Sequence, residues 1–133
     1  MTSKVIYTGN LRTESEHLKS GAKIITDAPV DNHGKGEAFS PTDSVATALA
    51  SCMLTVMGIK AEAIDVNLNG TTAEVTKTMA ADPRRISKVE IVINFSESYP
   101  EKICKTLENT AKTCPVLQSL HPEMEKLISF KYS

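Results

Sequence analysis

Two cysteines are the residues of this chain best placed to do chemistry. Cys52 lies inside a long apolar-periodic segment, and Cys114 stands directly before Pro115. A pair of thiols can pass through a redox cycle. One sulfur is oxidised, the other condenses with it to a disulfide, and a reductant restores both. The nucleophile in such a cycle is the thiolate, not the thiol. Cys52 needs a nearby cation for this, because apolar burial raises a thiol pKa. Cys114 has help from the backbone. At the start of a helix opening on Pro115, free N–H groups and the helix dipole favour its thiolate. By local physics alone, Cys114 is the more acidic thiol. The plainer reading of both is core filler, since free cysteine is commonly buried. Cys104 lies one position off the Ile103–Leu107 stripe and reads as structural or half-exposed.

The remaining candidates have modest local readings. Arg12, in Asn10-Leu11-Arg12-Thr13-Glu14, reads locally as a solvated strand charge. Asp43 closes the run Ser40-Pro41-Thr42-Asp43, where its carboxylate fits a helix-capping box. Cys52, Cys114 and His121 are a conceivable zinc set. The chain has no C-x-x-C or H-x-x-x-H pair, so the spacing gives no support for a metal, and no cofactor is implied.

The elements that must position these residues are legible. Lys4 to Gly9, Leu11 to Leu18 and Ala22 to Thr26 read as three short strands, and Asp27 to Glu37 as a loop rich in Asp, Asn, Gly and Pro. Ser40 is a good N-cap and Pro41 suits the first helical position. Val45, Leu49, Cys52, Val56, Ile59 and Ala63 recur at spacings of three or four, which predicts a central, largely buried helix over 41–63. Thr72 to Met79 and Ser87 to Phe95 resume strand character. Val89, Ile91, Ile93 and Phe95 share one face, and Asp82-Pro83-Arg84 marks the turn of an antiparallel hairpin. Pro100 opens a second helix carried by Ile103, Leu107 and Ala111. A short helix follows Cys114-Pro115, and Leu127 to Tyr132 reads as a last strand. The order βββ-α-ββ-α-β predicts a two-layer α+β architecture in one domain, 1–133.

Bulk properties narrow the partners. The chain has 133 residues, 15 basic and 16 acidic side chains, and a net charge of −1, which supports neither a nucleic-acid nor an anionic-membrane partner. No apolar run approaches the roughly 20 residues of a membrane helix. The start, Met1-Thr2-Ser3-Lys4, leads into a strand-like stretch and not an apolar signal segment, so a cytoplasmic location is expected. Three cysteines are too few for a secreted disulfide framework.

The motifs taken together resemble a known family. Phe39-Ser40-Pro41-Thr42-Asp43, followed by Ala48-Leu49-Ala50-Ser51-Cys52-Met53, looks like the central helix of the OsmC/Ohr family. Cys114-Pro115-Val116, with a short helix and closing strand after it, resembles that family's second cysteine motif. The resemblance implies an intertwined homodimer and reduction of hydroperoxides, organic ones preferentially. It implies Cys52 as the peroxidatic thiol, Cys114 as the resolving thiol, and an external dithiol as reductant. The family also uses an arginine from the N-terminal strands and a carboxylate at the helix start, for which Arg12 and Asp43 are the candidates. The sequence departs from the hydroperoxidase pattern at two places. Thr42 stands where the family glutamate follows the proline, and the surroundings of Arg12 lack the glycine-rich context. The rival readings are a thiol redox sensor or small-electrophile binder without efficient turnover, and a structural domain with inert cysteines.

Overall fold

The computed structural model describes residues 1–133. The chain divides into two compact units, Met1–Val45 and Ala46–Ser133.

The first unit is an antiparallel sheet in the order β1-β2-β3, built from β1 (Ser3–Gly9), β2 (Arg12–His17) and β3 (Lys23–Asp27). Gly9, Asn10 and Leu11 all take positive φ at the β1–β2 turn, and the ladder shifts register between Tyr7 and Gly9. Such a bulge re-aims the strand that follows it, here the one beginning at Arg12. This unit has almost no apolar interior. Val5, Ile6, Tyr7, Ile24 and Ile25 are exposed, and its buried residues are polar, Asp27 and Ser40.

The second unit holds the hydrophobic core. It contains all but the first turn of α1 (Pro41–Ala63), then β4 (Thr72–Ala80), β5 (Arg85–Asn94), α2 (Glu101–Ala111), α3 (Pro115–Ser119) and β6 (Glu125–Lys131). β4 and β5 form the antiparallel hairpin expected from sequence. β5 and β6 are parallel. A parallel pair cannot be joined by a tight turn, and α2 with α3 supplies the crossover. Val89, Ile91, Ile93 and Phe95 are buried, as the alternation predicts. They pack with Leu107 and Ala111 of α2 and with one face of α1.

That face of α1 differs from the sequence expectation. The buried residues are Ala46, Leu49, Ala50, Met53, Met57 and Ala61, while Val45, Ile59 and Ala63 are exposed. The stripe is rotated by about one residue because α1 is apolar on more than one side, so periodicity alone does not choose the inward one. Six of its 23 residues are buried, fewer than a largely buried helix requires. By length and hydropathy α1 is also apolar enough to cross a bilayer, contrary to the expectation that no segment is. Its Leu49, Met53 and Met57 are fully buried against the β5 side chains, as in the core helix of a globular domain.

Candidate functional site

The two thiols meet within the second unit. Cys52 is half-buried on α1, one residue before fully buried Met53. Cys114 ends the segment after α2 and is the N-cap residue of α3, with its amide donating to the Ala111 carbonyl (3.4 Å) and its carbonyl accepting from Gln118 (3.2 Å). The Cys114 thiol lies close enough to that of Cys52 for the two to interact. All three cysteines are free thiols.

Burial decides the acidity of Cys114. It has no exposed surface. Burial pushes its thiol pKa up, the neighbouring Cys52 thiol pushes the same way, and the backbone amides of Leu117 and Val116 oppose both without prevailing. Cys114 makes no side-chain cap bond to α3. The expectation that the helix start makes Cys114 the more acidic thiol is therefore corrected. The helix has about one turn, and desolvation outweighs so short a dipole.

Cys104 belongs to a different cluster. It is half-buried on α2, and its Sγ donates to the Tyr99 carbonyl (3.4 Å). Beside it Tyr132 donates its hydroxyl to Glu108 (2.5 Å), and burial together with that carboxylate pushes the Tyr132 pKa up. His121 is exposed, and its Nδ1 accepts from the Glu123 amide (3.1 Å).

In the first unit, Arg12 lies directly opposite Asp27 across the β2–β3 ladder. Nε donates to Oδ1 at 2.7 Å and Nη2 to Oδ2 at 2.8 Å, a bidentate pair. The Asp27 side chain is 3% exposed and that of Arg12 36%. The Arg12 hydrogen bond is the main cause that holds the Asp27 carboxyl below its ordinary pKa, against the cost of burial. Sequence reading missed Asp27 because it placed the residue in the loop after β3. The findable signal was a carboxylate at the end of a strand neighbouring that of Arg12. A small cavity of about 230 Å³ adjoins the pair, lined by Thr8, Gly9, Asn10, Arg12, Asp27 and Lys35.

Asp43 closes the capping box expected of it. Its Oδ2 accepts from the Ser40 amide (3.0 Å), and its own amide donates to Ser40 Oγ (3.0 Å). Thr42 Oγ1 shares a hydrogen bond with Ser40 Oγ (3.2 Å).

The family described as OsmC-like protein matches residues 34–126. A structure from Psychrobacter arcticus 273-4, assigned provisionally to an osmotic stress induced and detoxification response, is 58% identical with a TM-score of 0.95, over 98% of this chain and 95% of that one. An organic hydroperoxide resistance protein OsmC from Legionella pneumophila has a TM-score of 0.76 at 16% identity, over 98% and 97% of the two chains. One from Elizabethkingia anophelis has a TM-score of 0.77 at 13% identity, over 100% and 97%. The latter two share the fold. No curated protein matches the chain. The matched segment contains both thiols and most of the chain, and so the chain belongs to the OsmC-like family.

Proposed function

We propose that this protein reduces hydroperoxides, organic ones in preference to hydrogen peroxide, through Cys52 and Cys114. The observation that carries this reading is the closeness of two free thiols of unequal burial. Cys52 is the accessible member and the attacking one. Its thiolate takes one oxygen of the peroxide, the O–O bond breaks, and the other oxygen leaves with a proton as an alcohol. Cys52 is then a sulfenic acid. Cys114 attacks that sulfur, water leaves, and a disulfide forms. An external dithiol exchanges with the disulfide, becomes oxidised itself, and restores both thiols. Cys114 needs no low pKa before the first step, so its buried, protonated state suits a resolving role.

Arg12 is the proposed cation for the Cys52 thiolate and the peroxide oxygen, from the same chain or from a second copy. Asp43 is the proposed helix-start carboxylate, in addition to its capping contacts. A homodimer would cover exposed apolar residues such as Val5, Tyr7, Ile24 and Ile59. The family match spans the boundary between the two units, which supports treating 1–133 as a single OsmC-like domain. Three free cysteines suit the reducing cytoplasm.

The rival reading is a redox sensor that oxidises once and recycles slowly. Thr42, at the position of the family glutamate, is the observation in its favour. Steady-state consumption of cumene hydroperoxide and hydrogen peroxide with a dithiol separates the two. The enzyme reading predicts turnover that favours the organic peroxide and vanishes in Cys52→Ser. Folded, reduced wild type that shows no turnover contradicts it.

A further inference from the structure

The Arg12–Asp27 pair is built more firmly than a surface ion pair. Several backbone segments around it are tied down. Asp27 N–H donates to the Phe39 carbonyl (3.1 Å), and Ala28 N–H to the Leu11 carbonyl (3.0 Å). Thr8 Oγ1 donates to the Arg12 carbonyl (3.2 Å), and Leu11 N–H donates to the Tyr7 hydroxyl (3.2 Å). On the next rung, Thr13 and Thr26 share a hydroxyl hydrogen bond of 2.5 Å. A carboxylate that is 3% exposed is costly to keep unless its partner is fixed.

The pair is also asymmetric. Asp27 is enclosed, whereas Arg12 keeps a third of its side chain open and borders the small cavity. Of the guanidinium's nitrogens, the pair engages Nε and Nη2 and not Nη1. A guanidinium carries five N–H donors in a rigid plane. Gripping one edge bidentately fixes that plane and leaves the end edge, Nη1 with the outer Nη2 hydrogen, for another acceptor.

We propose that Asp27 is a positioning residue for the reaction, holding the Arg12 guanidinium in one plane so that its end edge meets the thiolate and the peroxide oxygen. This rests on the role of Arg12 given above. A preset donor costs no side-chain entropy at the moment of reaction. Positioning and simple charge make opposite predictions for Asp27→Asn. Removing a negative charge beside Arg12 strengthens the field of the cation and lowers a nearby thiol pKa. Removing the grip frees the guanidinium and slows the reaction.

The test uses the full-length reduced protein. The single-turnover rate of Cys52 oxidation by cumene hydroperoxide is measured against pH in wild type, Arg12→Lys, Asp27→Asn and Asp27→Glu, with melting temperatures in parallel. Positioning predicts a plateau rate lower by about tenfold in Asp27→Asn. The acid limb should move to higher pH, and Asp27→Glu should fall in between. A rate in Asp27→Asn that is unchanged or faster, while Arg12→Lys is slow, overturns the inference and leaves the role of Arg12 intact. No effect of Arg12→Lys overturns both. If Asp27→Asn does not fold, Asp27→Glu decides. A rate lower by about threefold at an unchanged melting temperature supports positioning, and a wild-type rate overturns it.

Discussion

Cys114, with no exposed surface, lies close to half-buried Cys52. Two thiols of the same kind thus differ in their surroundings. In the proposed function, Cys52 is the thiol that meets the peroxide and Cys114 the one that then condenses with it.

Alkylation should follow that difference. Iodoacetamide near neutral pH is expected to modify Cys52 before Cys114 in the native reduced protein, by about tenfold or more in rate. Burial limits access to Cys114, and its raised pKa leaves little thiolate. Peptide mapping after a timed acid quench reads the order. Faster labelling of Cys114 would reverse the assignment of attacker and resolver.

Part of this was legible in the sequence and part was not. Ser40, Pro41 and the apolar run to Ala63 gave α1 its observed bounds, because caps and periodicity act locally. The inward face of α1 was misread by one position. Val45, Val56 and Ile59 are as apolar as Met53 and Met57, and only the partner sheet selects between them. The acidity of Cys114 was misjudged for a related reason. A helix start is visible in Cys114-Pro115, but complete burial under neighbouring elements is not. Asp27 escaped notice because strand register, which sets it opposite Arg12, depends on the turn around Ser20 and Gly21.

The capping box makes a separate prediction about stability. Ser40→Ala removes the acceptor for the Asp43 amide and should cost about 1 kcal/mol. Urea denaturation measures it as a lower midpoint at an unchanged slope. A loss within error would mean that solvent replaces the cap at no cost.

Asp27 sets an acid limit. Its folded-state pKa is lowered, first by the hydrogen bond from Arg12. The unfolded chain therefore binds this proton more readily than the folded one, and the stabilisation is present above the unfolded value. It declines as pH falls from the ordinary carboxylate range, about 3.9, toward the lower folded value. Urea midpoints measured from about pH 6 to about pH 2 should fall less steeply in Asp27→Asn than in wild type. Parallel curves would show that the pair does not couple to folding.

The most direct measurement is a peptide map of the reduced protein after one equivalent of cumene hydroperoxide, run without reductant. The account predicts an intramolecular disulfide joining Cys52 to Cys114, with Cys104 still a free thiol. A disulfide that includes Cys104, or Cys52 driven to sulfinic acid with Cys114 untouched, would contradict it.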